Sequence, residues 1–125
     1  MIQRFIELGN GYTDFFELLE LAKSNAKRAH AFLELQTEEG RSSLAVCFKP
    51  AGDSQFMPIY ICREGFQANN RQNKRLAAFY ALASELGFTV FKLEVKPKSA
   101  FYDIELYDQY LVGALRFQRI LPPLS

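Results

Sequence analysis

The sequence predicts an α+β fold in which helices pack on a mixed sheet of four or five strands. Segments with alternating apolar residues, typical of strands, are interspersed with segments whose apolar residues recur every three or four positions, typical of helices. Their order is (β)αβββαβα. No segment repeats at a regular interval and no linker rich in Pro, Gly or Ser divides the 125 residues, so we predict one domain over residues 1–125.

The first strand and the first helix are predicted on either side of a glycine-containing turn. Residues 2 to 8 alternate imperfectly, as a short strand would, and Gly9-Asn10-Gly11 then turns the chain. Thr13 is a residue type that caps helices, so we expect a helix over residues 14 to 25. Its apolar face consists of residues at helical spacing: Phe15, Leu18, Leu19 and Ala22.

Three strands follow, and we expect an antiparallel meander over residues 27 to 62. Residues 27 to 36 alternate with period two, which predicts one apolar side and one polar side, with His30 and Glu34 on the polar side. Gly40 suits a hairpin turn into a strand over residues 43 to 49. Residues 56 to 62 are almost wholly apolar, as in a strand covered on both faces, although Pro58 removes one backbone donor.

The last part of the chain predicts a helix, a strand and a helix. A polar stretch from Arg63 to Asn73 leads into a helix that ends at Gly87. The residues of its apolar stripe are Leu76, Phe79, Tyr80 and Ala83. A strand over residues 88 to 96 should run parallel to residues 56 to 62 after a right-handed crossover. Ser99 is expected to cap the final helix, which Pro122-Pro123 ends.

Composition limits the classes of function. Fifteen basic and fourteen acidic residues give a net charge of +1, far from the excess expected of a domain that binds nucleic acid over a broad face. No apolar run approaches the roughly 18 residues of a membrane helix, so we expect no signal peptide and no membrane segment. Cys47 and Cys62 fall in apolar strand-like runs, where a reduced cysteine acts as a small hydrophobic residue, so we expect a cytoplasmic protein. Because zinc needs four ligands and His30 is the only histidine, we expect no metal site. We also expect no cofactor, since Gly9-Asn10-Gly11 lacks the third glycine of a dinucleotide-binding motif.

Several stretches of the sequence resemble a known family. They are Met1 to Gly9, Tyr60 to Gly65, and Leu106 to Gly113 with the Pro122-Pro123 tail. They are similar to small cytosolic proteins of unknown function from Bacillus-like bacteria, some of which carry the label methylthioribose kinase. The resemblance covers nearly the whole chain and implies no catalytic residues. The sequence does not support the kinase label, because no Gly-rich phosphate loop accompanies a strand lysine and metal-binding carboxylates.

A candidate anion site lies where the two predicted parallel strands end. Carboxyl ends of parallel strands share one edge of a sheet, and open α/β sheets tend to hold ligands there. Five cations and two helix N-termini at this edge would suit an anionic ligand. The candidate residues are Arg63, Glu64, Arg71, Lys74, Lys96, Lys98 and Ser99. The alternative is that they are ordinary polar residues of loops.

The final helix carries more apolar residues than one buried stripe requires. Such a helix is either central to a fold or packed against a partner. We therefore predict a homodimer, since Tyr and Phe are enriched in interface cores. The candidate interface residues are Tyr102, Tyr107, Tyr110 and Phe117. The alternative is that this helix packs wholly on its own sheet. Gly113 in the middle of the helix indicates close approach of another backbone.

Signals for catalysis are weak. The order α-β-β-β-α-β is also that of the PD-(D/E)xK nucleases, and Glu94-Val95-Lys96 matches the short half of their motif. That family carries the tripeptide on the third core strand and an Asp on the preceding strand, and this chain has neither there. A nucleophilic triad would depend on the single His30, and Cys47 is expected to be buried without a basic activator.

The sequence thus assigns no reaction. It favours a non-catalytic cytosolic interaction domain that acts as a homodimer. The alternative is a nucleic-acid or phosphate-ligand binding protein, including an inactive relative of the nuclease fold.

Overall fold

Five strands and three helices make up the fold, which a computed structural model describes over residues 2–8, 12–37, 40–52, 54–67 and 74–122. The strands are β1 (Ile2–Glu7), β2 (Ala29–Gln36), β3 (Arg41–Phe48), β4 (Phe56–Gln67) and β5 (Phe91–Glu94). The helices are α1 (Tyr12–Ser24), α2 (Lys74–Glu85) and α3 (Ile104–Phe117), with short 3-10 turns at Ala26–Arg28 and Lys98–Ala100. The predicted α+β class is confirmed.

The sheet is mixed and has the order β1-β4-β3-β2-β5. Strands β2, β3 and β4 form the predicted antiparallel meander. The two edge strands join it by parallel pairs, β1 with β4 and β5 with β2. Strands β4 and β5 therefore point the same way, as predicted, but β3 and β2 lie between them.

Helices cover both faces of the sheet, and each face has its own apolar core. Helices α1 and α2 pack on one face, where the core includes Phe15, Phe32, Leu44, Cys62 and Phe79. Helix α3 packs on the other face, where the core includes Leu33, Cys47, Ile59, Leu111 and Leu115. Because the sheet is covered twice, its interior strands are rich in apolar residues on both sides.

Strand β2 is buried on both faces, which corrects the prediction of one apolar and one polar side. Its register with β3 shifts between Ala29 and Ala31, so a single alternation does not describe the whole strand. Beyond the shift, Phe32 lies in the core under α1 and α2. Glu34 follows two residues later on the same face and is also buried.

Strand β4 continues past Cys62 to Gln67, through a segment that we predicted to be a loop. The continuation forms because it pairs with the start of β3, with Ser42 opposite Phe66 and Arg41 opposite Gln67, after a register shift. Pro58 lies beyond the last β3 pair, Cys47 with Ile59, so its missing N–H breaks no ladder hydrogen bond on that side.

Two predicted helix starts are corrected by the structure. Helix α1 begins at Tyr12, which places Thr13 inside the helix. Helix α3 begins at Ile104 and is capped by Asp103, whose Oδ1 accepts a hydrogen bond from the Leu106 N–H at 2.9 Å. Ser99 lies in the preceding 3-10 turn and is not the cap.

The predicted end of the second helix is confirmed. Gly87 has a φ of +86°, the left-handed conformation that favours glycine after a helix. The Phe88 N–H bonds to the Ala83 carbonyl at 2.8 Å, and the Gly87 N–H bonds to the Ser84 carbonyl at 3.0 Å. These two bonds close α2 in a Schellman motif and turn the chain towards β5.

Candidate functional site

Helix α3 packs one face on the sheet and presents a second apolar row to the outside. Its buried residues are Tyr107, Leu111, Val112 and Leu115. The outer row has the spacing i, i+4, i+7, i+11, which keeps its members on one side of a helix. We call this row the outer stripe, and its residues are Leu106, Tyr110, Gly113 and Phe117. At 1.5 Å per residue it is about 16 Å long.

The outer stripe is accessible. The Phe117 side chain is 84% exposed, and Leu106 is also exposed. A Cβ atom built on Gly113 meets no described atom within 4 Å, so the expected close approach of a backbone does not occur within the described part of this chain. The helix therefore has an open notch at Gly113 with large side chains on either side of it.

Tyr110 is half-buried, and its orientation is held by two contacts. Its ring lies 4.9 Å from the ring of Phe101, measured between centroids. Its hydroxyl accepts a hydrogen bond from the Lys96 N–H at 3.1 Å. The two contacts thus hold the ring in place beside the notch.

The four predicted interface residues do not share one face. Tyr107 is only 4% exposed and lies in the core under α3, with its ring 5.4 Å from Phe101. Tyr102 precedes the helix and is 96% exposed. The surface available to a partner thus includes Tyr102, Phe117 and part of Tyr110, but not Tyr107. Gly113, which was predicted only as a point of close approach, and Leu106, which was not predicted, complete the outer stripe.

The predicted anion-binding residues are divided between two places. Arg63 and Glu64 lie within β4, and Lys74 is exposed at the start of α2. Arg71 lies outside the described residues. Lys96 is exposed just after β5, and Lys98 and Ser99 belong to the following 3-10 turn. Since three strand spacings of about 4.8 Å separate β4 from β5, the two groups begin about 14 Å apart.

A polar cleft of about 450 Å³ lies at the carboxyl ends of β2 and β5. Its lining includes Gln36, Thr37, Glu94, Lys96 and Tyr110. Glu94 and Lys96 carry opposite charges, so the cleft is not strongly positive. In the described ranges, no group of three or more His, Cys, Asp or Glu side chains is arranged to hold a metal ion.

A second cleft, of about 470 Å³, separates α3 from the edge strand β1. Gln3 lies between the two elements: its Oε1 accepts from Nε of Arg116 at 3.0 Å and also from Nη2, while its Nε2 contacts the Met57 sulfur at 3.7 Å. Glu105 and Val112 of α3 line the outer wall. We did not predict this cleft; the only signal in the sequence is an alternation that places Gln3 on the same side as Phe5.

A family model matches residues 1–121 of the chain. The chain belongs to the family described as Domain of unknown function (DUF7147). No curated protein and no solved structure matches it. The match contains β1, α3 and both clefts, so the surfaces described above are part of the DUF7147 domain itself.

This DUF7147 domain also contains a buried carboxylate, which the alternation of β2 placed on a polar side. Glu34 is 1% exposed. The Ser42 hydroxyl donates to Oε2 of Glu34 at 2.6 Å, and the Tyr80 hydroxyl donates to Oε1. Burial, followed by the hydrogen bond to Glu34 and the charge of Glu34, raises the pKa of Tyr80 above its ordinary value. Alternation alone could not reveal this group, because its two donors come from β3 and α2.

The side chains of His30, Cys47 and Cys62 in the DUF7147 domain make contacts that belong to the folded core and its edge. Nε2 of His30 lies 2.9 Å from the Ile120 carbonyl and donates to it, so His30 contacts the segment that follows α3 and not Glu34. Cys47 and Cys62 are buried in opposite cores, so the sheet separates them. Burial raises the pKa of the Cys47 thiol to about 12. No helix in the described ranges has the length and hydrophobicity needed to cross a bilayer.

Proposed function

We propose that this domain is a non-catalytic cytoplasmic interaction domain that forms a homodimer through the outer stripe of α3. The observation that supports this proposal is the self-complementarity of the stripe. If two α3 helices pack antiparallel, Tyr110 faces the partner's Gly113, and Leu106 faces the partner's Phe117. Both pairs are centred on the same point of the helix, between Leu111 and Val112, as a two-fold axis requires.

Size complementarity favours this register. The ring of Tyr110 is large and already positioned, whereas Gly113 leaves an open notch at the matching position. A glycine in mid-helix costs about 1 kcal/mol relative to alanine, and close approach of a second helix is a common reason for that cost. Leu106 and Phe117 then cover each other at the two ends of the contact.

Charge complementarity favours the same arrangement. Asp103 is exposed at the N-terminal end of α3, and Arg119 is exposed just after its C-terminal end. Antiparallel packing brings Asp103 of each copy close to the partner's Arg119, and it also places the two helix dipoles in opposite directions. A parallel arrangement would instead place like charges together.

The proposed cytoplasmic location has two supports. The sequence resembles cytosolic proteins, and both cysteines are buried in apolar cores, where they act as small hydrophobic residues. Neither support depends on the dimer.

Native mass spectrometry at near-physiological salt tests the dimer. The wild-type protein should give a dimer mass, and Phe117→Glu should give a monomer, because two carboxylates would enter the apolar contact. Phe16→Glu is the matched control, since Phe16 is 60% exposed on α1, on the opposite side of the sheet. A monomeric wild type, or a Phe117→Glu variant that remains dimeric, would refute the proposal.

Gly113→Leu separates association from folding. Leucine is a better helix former than glycine by somewhat under 1 kcal/mol, so the monomer should become more resistant to urea. The same side chain fills the notch and should prevent Tyr110 of the partner from entering it, so the dimer should dissociate. A dimer that survives this substitution would exclude the register proposed above.

The alternative function is binding of a phosphate ligand or nucleic acid at the carboxyl edge of the sheet. An inactive relative of the nuclease fold would be one protein of this kind. It is supported by the cleft next to Lys96. Salt-sensitive binding of a labelled oligonucleotide or of inorganic phosphate, weakened by Lys98→Glu, would favour it. Binding that Lys98→Glu and Lys96→Glu leave unchanged would count against it.

A further inference from the structure

A cleft of about 380 Å³ lies at the carboxyl end of α3, next to the exposed ring of Phe117. Leu121 and Pro122, which follow the turn after the helix, supply apolar surface, and Leu121 is buried. Arg116 and Arg119 supply the charges, and no carboxylate lines the cleft among the described residues. The cleft therefore combines an apolar surface and an aromatic ring with two guanidinium groups.

Both guanidinium groups keep their positive charge. Nε and Nη2 of Arg116 donate to Oε1 of Gln3, which is a neutral amide. Arg119 is exposed, and neither arginine forms an ion pair within the described ranges. Arginine packs favourably on the face of an aromatic ring and forms strong hydrogen bonds with carboxylates. This cleft therefore favours an aromatic side chain that is accompanied by negative charge.

The segment at the start of α3 has the complementary properties. The Tyr102 side chain is 96% exposed, although most of its surface is an apolar ring. Asp103 follows it as the helix cap, and Glu105 lies in the first turn; both are exposed. The segment thus presents one aromatic ring together with two carboxylates.

Antiparallel packing of two α3 helices brings this segment and the cleft together, so the inference rests on the proposed homodimer. The register is centred between Leu111 and Val112, and at 1.5 Å per residue Leu106 and Phe117 each lie about 8 Å from that point. Tyr102 lies beyond Leu106, and the cleft lies beside and beyond Phe117. A two-fold axis exchanges the two ends of the helix, so Tyr102 of each copy lies at the same end as the partner's cleft.

We propose that the cleft at the carboxyl end of α3 receives Tyr102 from a second copy of this chain, with the ring packed on the partner's Phe117 and the partner's Arg119. Two such contacts flank the central contact of Tyr110 with the partner's Gly113. Tyrosine and arginine are the residue types that most often dominate interface energies. Tyr102 thereby also selects the partner, because a helix without an aromatic residue before its cap leaves the cleft unfilled.

A disulfide between Tyr102→Cys and Pro122→Cys tests the contact directly. The two positions lie at opposite ends of α3, about 20 Å apart, so a disulfide cannot join them within one chain. Mild oxidation of the double variant should give a covalent dimer. Each single variant should remain unlinked, because antiparallel packing places identical positions at opposite ends. Cys47 and Cys62 are buried and are present in every variant.

The dissociation constant of the dimer measures what the ring contributes. Tyr102→Ser should raise the Kd about tenfold, whereas Tyr102→Phe should leave it unchanged, because the ring and not the hydroxyl fills the cleft. Arg119→Ala should also raise the Kd. The double variant Tyr102→Ser/Arg119→Ala should weaken the dimer by less than the product of the two single effects, because the two side chains are in contact. Sedimentation at several protein concentrations gives all four values.

The outcomes separate this inference from the proposed homodimer. A monomeric wild type refutes both. A dimer that Phe117→Glu dissociates, but that forms no disulfide in the double-cysteine variant and keeps its Kd in Tyr102→Ser, refutes only the insertion of Tyr102. The same result is expected if the cleft binds a segment of another protein. A covalent dimer of Tyr102→Cys alone would show parallel packing and would also overturn the inference.

Discussion

Arg119 adopts a backbone conformation that residues other than glycine rarely adopt. Its φ is +62°, and it follows α3 at the point where the chain reverses. The Arg119 N–H bonds to the Arg116 carbonyl and the Ile120 N–H bonds to the Leu115 carbonyl, both at 3.0 Å. The turn brings Ile120 and Leu121 into the core, so packing compensates for the strain.

Replacing Arg119 by glycine should therefore stabilise the fold. Relief of the left-handed conformation is worth about 1 kcal/mol, and Arg119→Ala should give much less because alanine keeps the Cβ atom. Urea unfolding of both variants in the Phe117→Glu background measures the fold without a contribution from association. Equal stabilities of the glycine and alanine variants would show that the conformation carries no strain.

The bond between Tyr80 and Glu34 predicts a loss of stability at alkaline pH. The pKa of Tyr80 is raised in the folded protein, so its contribution is complete below its ordinary pKa of about 10 and is lost as the pH rises towards the folded value. Above pH 10, wild type should lose more free energy of unfolding than Tyr80→Phe. Tyr102→Phe, which removes a fully accessible hydroxyl, should behave as wild type. Parallel pH profiles for all three proteins would contradict this interpretation.

The start of α3 shows that the residue type alone does not decide which side chain caps a helix, because the cap depends on backbone geometry. Asp103→Ala should destabilise the protein by about 1 kcal/mol, because the Leu106 N–H loses its acceptor. Ser99→Ala should change stability by less than about half of that, since Ser99 is exposed in the 3-10 turn. Thermal or urea unfolding distinguishes the two; the reverse order would restore Ser99 as the cap.

Periodicity predicted the three α-helices and five strands of the described ranges but not the contacts between distant strands. The stripe from Phe15 to Ala22 and the glycine stop after α2 follow from local spacing, and both are confirmed. The sheet order is not local, and it places two strands between the residues around Arg63 and those around Lys96. The shift at the start of β2 also escaped prediction, because it depends on how β3 pairs with it.

For the candidate surfaces too, local spacing predicted some features, whereas others depend on contacts between distant segments. Exposure of Phe117 is compatible with the excess of apolar residues on the last helix, whereas burial of Tyr107 depends on which side of that helix meets the sheet. The position of β1 at the edge of the sheet could be recognised only from the strand order. The sequence thus suggested a helix surface for a partner but not the edge cleft.

At the scale of the whole molecule, the homodimer predicts a concentration-dependent thermal unfolding. A partner that binds only the folded state raises the midpoint by mass action. The Tm of wild type should therefore increase with protein concentration, whereas that of Phe117→Glu should stay constant. Differential scanning calorimetry over a hundred-fold range of concentration is the measurement, and a constant wild-type Tm would contradict the dimer.

The sheet order also has a consequence for synthesis on the ribosome. The meander of β2, β3 and β4 contains only neighbouring segments, but β1 must wait for β4, its sole neighbour in the described sheet, and β5 must return to β2. Long-range pairings are slow to form because they close large loops. We expect the meander to fold first and the amino-terminal strand, although made first, to join it later. Pulse-labelled amide exchange during refolding should protect Ala45 before Ile6; the opposite order would contradict this.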